Sequence, residues 1–160
     1  MAAHVFNVAL GRCVELHRRA KTQDAFWAGN CLCVAVLAAA GLESDAILLD
    51  KDWLGDVVVG TTNLVTNTTV PKIIPAADLT SPAPNNATDV FPLDMVDIAF
   101  GTVNAGDTWS KVLVCWSPNG TMGQLGAIVP MTMHDVNIVP DGSTITIQIP
   151  AAGYFQAGQC

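Results

Sequence analysis

The stretch Asp135-Val-Asn-Ile-Val-Pro-Asp-Gly-Ser-Thr-Ile-Thr-Ile-Gln-Ile149 carries the strongest fold signal in the sequence. Apolar and polar residues alternate on both sides of Asp141-Gly142, which is the period of a strand with one buried face. An Asp-Gly pair between two such runs is typical of a tight turn joining antiparallel strands. We therefore predict a β-hairpin between residues 135–139 and 144–149.

Further short runs rich in Val, Ile and Thr precede this turn. They cover residues 95–100, 111–116 and 127–133, and turns containing Gly, Asn or Pro separate several of them. Strands at this spacing favour an antiparallel arrangement over a parallel sheet crossed by helices. The predicted fold class is mainly β, an antiparallel sandwich or barrel.

The N-terminal part adds helical elements. Four residues share one face of a predicted helix over residues 7–20, in which Asn7 is the expected cap, namely Leu10, Cys13, Val14 and His17. A short helical segment is predicted near residues 44–55. The apolar run 31–37 is interpreted as a buried strand, although its pattern alone also allows a short buried helix.

We divide the chain into a basic N-terminal helical arm, residues 1–26, and a single β-rich domain, residues 27–160. We expect that deleting the arm leaves a soluble β domain that no longer binds its partner. Within the domain, residues 61–92 form a segment rich in Pro, Thr and Asn. Because Pro is excluded from central strands, we expect an edge strand near residues 67–74 and an exposed loop over residues 75–87.

The composition narrows the class of protein. The 160-residue chain is 51% hydrophobic and 13% charged, which excludes intrinsic disorder as its general state. With so few charges to cover its surface, we expect the chain to form a homo-oligomer. The longest apolar run, residues 31–40, is too short to cross a membrane. No secretory pattern opens the sequence, so we expect the protein to be made and folded in the cytosol.

Charge is unevenly distributed along the chain. Four basic side chains and one acidic one lie up to Lys21, whereas three basic and thirteen acidic ones follow. A short basic segment on an acidic body is typical of a subunit that docks by one end. The acidic body would repel a phosphate backbone, so nucleic acid is not an expected partner.

Cys13, His17, Cys31 and Cys33 form a candidate metal set. The first two share a helical face and the last two a strand face, so helix–strand packing would allow tetrahedral zinc. However, one residue between two cysteines is a tighter gap than zinc sites use, and apolar neighbours favour buried, reduced thiols. We predict no metal and no other cofactor.

His134-Asp135 is the candidate catalytic pair. Adjacent strand residues point to opposite faces of a sheet, so the imidazole and the carboxylate do not meet without a bulge. We therefore predict a non-enzymatic protein.

Several phrases of the sequence resemble small virion proteins of tailed bacteriophages that infect actinobacteria. They are Asn7-Val-Ala-Leu-Gly-Arg12, Ala40-Gly-Leu-Glu-Ser-Asp45, Lys111-Val-Leu-Val-Cys-Trp116, Ile128-Val-Pro-Met-Thr-Met-His-Asp135, Asp141-Gly-Ser143 and Ala152-Gly-Tyr-Phe155. The resemblance covers most of the chain except residues 61–92, and the Cys31/Cys33 pair also departs from it.

This resemblance implies a virion structural protein, in the first place a capsid decoration or cement protein on the outer surface of the head. The implied partners are the phage major capsid protein and further copies of this chain, with a trimer preferred. The alternatives are a minor tail protein and a carbohydrate-binding or adhesion module displayed on the virion.

We expect partner contacts at both ends of the chain, because Arg and aromatic side chains concentrate the binding energy of protein interfaces. The candidate residues are Arg12, Arg18, Arg19, Phe26 and Trp27 near the N-terminus, and Tyr154 and Phe155 near the C-terminus. For the Tyr-Phe step, a closing strand of the same domain is an equal alternative.

Overall fold

The structure is a computed structural model that describes residues 3–23, 29–66 and 70–157. Within these ranges the chain has nine strands and three α-helices. The strands are β1 (Ala3–Val5), β2 (Cys31–Ala38), β3 (Lys72–Ile74), β4 (Phe91–Leu93), β5 (Ile98–Thr102), β6 (Trp109–Ser117), β7 (Val129–Ile138), β8 (Thr144–Ile147) and β9 (Phe155–Ala157). The helices are α1 (Cys13–Thr22), α2 (Asp45–Leu49) and α3 (Leu54–Val57).

The core is built on an antiparallel five-stranded sheet with the order β1-β7-β6-β2-β3. All eight residues of β2 are buried, as are nearly all of β6. Such continuous apolar runs are typical of strands covered on both faces. The interpretation of residues 31–37 as a buried strand is therefore confirmed.

Different elements cover the two faces of this sheet. On one face, Val112 of β6 lines the same cavity as Ile98 of β5 and Ile147 of β8, which pair with each other in a two-stranded sheet. The neighbouring residue, Lys111, points to the opposite face and contacts Asp45 of α2. The mainly β, antiparallel, sandwich-like class is confirmed.

The predicted hairpin is wrong, because β7 and β8 belong to different sheets. Strand β7 pairs with β1 and β6, whereas β8 pairs with β5. The runs 127–133 and 135–139 are also one continuous strand, Val129–Ile138. The chain does bend at Gly142, where φ is +95°, but this bend carries it from the large sheet to the small one. Turn residues report a change of direction and leave the pairing partner open.

The N-terminal helix is shorter than predicted. Asn7–Ala9 form a single 3-10 turn, and α1 begins only at Cys13. Gly11, with φ at +74°, adopts a backbone conformation that a right-handed helix excludes. Leu10 consequently lies outside the helix and is 61% exposed, contrary to its predicted place on the buried face. The buried residues of α1 are Cys13, Leu16, His17 and Ala20.

The N-terminal segment is packed into the body of the protein. Strand β1 forms one edge of the large sheet, and Phe6, Ala9 and Leu16 are fully buried. Deleting residues 1–26 would uncover the edge of β7 and open the core. The expectation that a soluble β domain remains after this deletion is corrected accordingly.

The other elements agree with the predictions more closely. The predicted helical range 44–55 contains α2 and the start of α3. Strand β3 is an edge strand at Lys72–Ile74, and residues 67–69 lie outside the described residues. Of the two alternatives for Phe155, the strand of the same domain is found, because β9 pairs with β4. Within the described part of the chain, no helix has the length and apolar character needed to span a membrane.

Candidate functional site

The cationic residues predicted to bind a partner lie at and beside α1. Arg12 immediately precedes the helix and Arg18 lies on it, and both side chains are exposed. Neither forms an ion pair within residues 3–23, 29–66 and 70–157, whereas Arg19 pairs with Glu15 one turn earlier. Arg12 and Arg18 are therefore free to contact a partner. Phe26 and Trp27 fall outside the described residues.

Tyr154 belongs to the core rather than to the surface. Its hydroxyl lies 2.9 Å from His17 Nδ1, and His17 Nε2 lies 2.9 Å from the carbonyl oxygen of Thr80. A carbonyl only accepts, so Nε2–H donates to Thr80 and Nδ1 accepts the hydroxyl hydrogen of Tyr154. Burial lowers the pKa of His17 and raises that of Tyr154, which keeps both groups neutral. Tyr154 is thus engaged internally, and Phe155 beside it is half-buried.

The candidate zinc ligands are not arranged for metal binding. Both ring nitrogens of His17 are engaged, and the Cys13 thiol donates to the carbonyl of Ala9 at 3.5 Å. Burial raises the pKa of Cys13 to about 11 and that of Cys31 to about 12, so both thiols are protonated at neutral pH. Together with Cys33, these residues do not form a group of ligand atoms within 4.8 Å of one another among the described residues. The alternative of buried, reduced thiols describes these residues better than the zinc alternative does.

A charged cluster joins three elements on the α2 side of the large sheet. Lys111 Nζ lies 2.8 Å from Asp45 Oδ1 and also donates to Asp135 Oδ1. Burial opposes the charge of Lys111, but hydrogen bonds to Asp135 and Asp45 outweigh it and raise the pKa of the amine. The same hydrogen bond lowers the pKa of Asp135.

His4, Asp45 and Asp135 are the one set of potential metal ligands within the described residues whose ligand atoms lie within 4.8 Å of one another. The ammonium group of Lys111 already lies between the two carboxylates, where it supplies the positive charge that they attract. This cluster is therefore an ion-pair network.

An apolar cavity of about 390 Å³ lies on the opposite face of the sheet. Its buried wall consists of aliphatic side chains from β5, β6 and β8, together with His134 and Tyr154. The segment 148–156 forms the rest of the wall, and Gln148, Pro150, Ala152 and Gln156 are exposed at its mouth. A concave apolar surface with a few polar groups is the usual form of a small-molecule site.

His134 is the polar group deep in this cavity. Its side chain is buried, and its Nε2 lies 2.9 Å from the hydroxyl oxygen of Thr132. Burial lowers its pKa, although Asp135 acts in the opposite direction. His134 and Asp135 lie on opposite faces of β7, as strand alternation predicts, and each has a different partner. The pair therefore lacks the hydrogen bond that a general base needs from its carboxylate.

The fold and these sites define a mainly β protein with a packed lysine–carboxylate network on one sheet face and an apolar cavity on the other. No family model, curated protein or solved structure matches the chain.

Two features of the site were missed from the sequence. Lys111 opens an apolar strand run, and a lysine in such a run indicates a buried cation that needs carboxylate partners. That signal was present, but nothing local identified Asp45, which lies 66 positions away in the numbering of the chain. The cavity gave no signal, because its wall is assembled from β5, β6, β7, β8 and the segment 148–156.

Proposed function

We propose that the chain is a non-enzymatic structural protein of a phage virion, a decoration or cement protein on the outer surface of the head. Its partners are the major capsid protein and further copies of the chain, with a trimer as the preferred assembly. The sequence resemblance to small virion proteins is the starting point of this proposal.

The observation that carries the proposal is the surface around the start of α1. Leu10 is 61% exposed there, and the exposed Arg12 and Arg18 have no ion-pair partner in the described part of the chain. Apolar burial supplies most of the affinity of an interface, while exposed charges mainly set its orientation and association rate. On a chain with a net charge of −7, this cationic surface would be the part attracted to an acidic acceptor.

Contacts between copies of the chain have support of a different kind. Large apolar side chains are exposed on several other elements, namely Ile47, Trp53, Val59, Ile73, Val96 and Val139. Ile73 lies on β3, an edge strand whose outer side has no strand partner within the described residues. Exposed apolar groups and open sheet edges favour association between subunits.

A binding role also fits the polar residues better than catalysis does. His134 is bonded to Thr132, and Asp135 is bonded to Lys111 on the other face. Among the described residues, the buried thiols of Cys13 and Cys31 are protonated at neutral pH and are therefore poor nucleophiles.

The proposal is tested by co-sedimentation of the purified chain with empty phage shells that lack it. Wild type is expected to bind the shells, and Arg18→Glu is expected to weaken binding most strongly at low salt. Lys51→Glu is the matched control, since it replaces a basic side chain by Glu on a different segment, just after α2, and should bind like wild type. Arrays of host-envelope glycans are assayed in parallel.

Two results would contradict the proposal. One is a folded wild-type chain that does not sediment with shells at any salt concentration. The other is specific binding to glycans without binding to shells, which would favour the adhesion module instead.

A further inference from the structure

We propose that the apolar cavity beside His134 is a binding site for a neutral, mostly apolar small molecule with one hydrogen-bonding group. This inference concerns a different site from the cationic surface at Arg12 and Arg18. It does not depend on a role in the virion.

The construction of the cavity supports a ligand site rather than a packing defect. Its wall contains buried side chains of the large sheet, such as Val112 and Val114, and of the small sheet, such as Ile98 and Ile147. Its mouth is formed by exposed residues, among them Gln148 and Ala152. A molecule can therefore enter from solvent and exchange water contacts for apolar ones.

The size of the cavity restricts the ligand. An apolar cavity of about 150 Å³ is known to hold one benzene ring. The cavity of about 390 Å³ is between two and three times as large. It therefore fits a two-ring aromatic molecule or an aliphatic molecule of similar volume.

His134 supplies the hydrogen-bonding group. The side chain is 8% exposed and lines the cavity, and its Nε2 is engaged by Thr132. Its Nδ1 has no hydrogen-bond partner within residues 3–23, 29–66 and 70–157. Unlike Trp109 Nε1, it is not a fully buried unpaired atom, so it keeps access to solvent and can bond a ligand that carries one hydroxyl or carbonyl group.

The charge of the site favours a neutral ligand. None of the residues that line the cavity is Lys, Arg, Asp or Glu. The nearest buried cation, Lys111, points to the other face of the sheet and is held by Asp45 and Asp135. With a net charge of −7, the chain as a whole disfavours the approach of an anion.

The test uses 2-naphthol, with naphthalene as the matched probe without a hydroxyl group. Fluorescence titration of the full chain should show saturable binding of 2-naphthol. Ala152→Trp places a large side chain at the exposed mouth and should weaken binding more than 10-fold by steric exclusion, roughly the effect of losing most of the apolar contact. Ala83→Trp, the same substitution at an exposed alanine outside the cavity lining, should bind like wild type.

A second variant tests the role of His134 separately. His134→Leu should weaken the binding of 2-naphthol by roughly 2- to 10-fold, which corresponds to the loss of one hydrogen bond. The affinity for naphthalene should stay nearly unchanged. Circular dichroism verifies that each variant is folded. The proposal is overturned if folded wild type shows no saturable binding, or if Ala152→Trp binds 2-naphthol as well as wild type does. Equal weakening of both probes by His134→Leu would overturn the assignment of His134.

Discussion

The hydroxyl of Tyr154 donates a hydrogen bond to Nδ1 of His17 across 2.9 Å, joining two residues 137 positions apart in the sequence. The contact fastens α1 to the segment that leads into β9. Because His17 also donates to Thr80, the imidazole links three separate parts of the chain. The N-terminal helix is thereby part of the core and can present Arg12 and Arg18 in a fixed orientation.

Removing this hydroxyl should destabilise the protein. Tyr154→Phe leaves Nδ1 of a fully buried histidine without a donor, so we expect a loss of about 1–3 kcal/mol in the free energy of unfolding. Urea denaturation measures the change. The double variant Tyr154→Phe/His17→Leu should cost less than the sum of the two single variants, because the hydrogen bond can be lost only once. Strict additivity would contradict the assignment.

Stability should fall on mild acidification. Burial lowers the pKa of His17, although the Thr80 carbonyl and Asp94 raise it, and Lys21 lowers it further. Burial lowers the pKa of His134 as well. As the pH falls, these two histidines therefore take up protons at a higher pH in the unfolded chain than in the folded protein. The contribution of each histidine is present above its unfolded pKa of about 6.5 and is lost as the pH falls through the lower folded pKa.

The measurement is the free energy of unfolding from pH 7.5 to pH 5, where each histidine contributes a slope of at most about 1.4 kcal/mol per pH unit. His17→Gln keeps a donor for Thr80 and an acceptor for Tyr154 but does not titrate, so its slope should be shallower. The pKa of Asp135 is lowered from its usual value, so the stability that this carboxylate contributes is lost only at more acidic pH. Its protonation therefore does not affect the comparison between pH 7.5 and pH 5. An unchanged slope in His17→Gln would refute the role given to His17.

The mainly β fold class was predictable, because alternating and continuous runs of apolar residues indicate which side chains of a strand are buried. The buried strand β2 was found in this way, whereas the helical segment near residues 44–55 was predicted from the capping residues Ser44 and Asp45. Strand pairing was not predictable, since Asp141-Gly142 marks a turn without specifying that β8 joins β5. The start of the first helix depends on the positive φ angle of Gly11, which the sequence allows but does not require.

The candidate site was less predictable than the fold. Arg12 and Arg18 are exposed as expected, since isolated cations stay in water. Tyr154 was expected to contact a partner, but its burial depends on α1 and Thr80, both distant in sequence. The cavity around His134 likewise depends on the packing of two sheets, which no local pattern encodes.

For the Lys111 network, we predict that replacing both carboxylates lowers the free energy of unfolding more than replacing the lysine does. The Lys111 side chain is 8% exposed, against 40% for Asp45 and 48% for Asp135. Asp45→Asn or Asp135→Asn alone should cost about 1 kcal/mol, because the other carboxylate still pairs with Lys111 and the sites are partly solvated. The double variant leaves a buried cation uncompensated and should cost about 3–5 kcal/mol.

Lys111→Met is the matched variant for this cluster, because it keeps the aliphatic stem and leaves two carboxylates that water can reach. It should be milder than the double variant in thermal and urea unfolding. If Lys111→Met proves as damaging as Asp45→Asn/Asp135→Asn, the cation is not the group that requires compensation.

Gly153 should tolerate substitution much less well than Gly142, although both have a positive φ. A Cβ at Gly153 would lie 2.4 Å from the carbonyl oxygen of Leu93, whereas a Cβ at Gly142 would have no heavy atom within 4 Å. Both alanine variants incur about 1–2 kcal/mol of backbone strain. Gly153→Ala should lose roughly 1–3 kcal/mol more, as overpacked sites do. Equal melting temperatures for the two variants would contradict the close approach of β4.

The most direct measurement of the central claim is an electron cryo-microscopy reconstruction of phage heads with and without the chain. The account predicts additional density on the outer surface of the head, in clusters of subunits, with the exposed surface of α1 facing the shell. Heads that show no difference density when incubated with folded chain, or density confined to the tail, would contradict it.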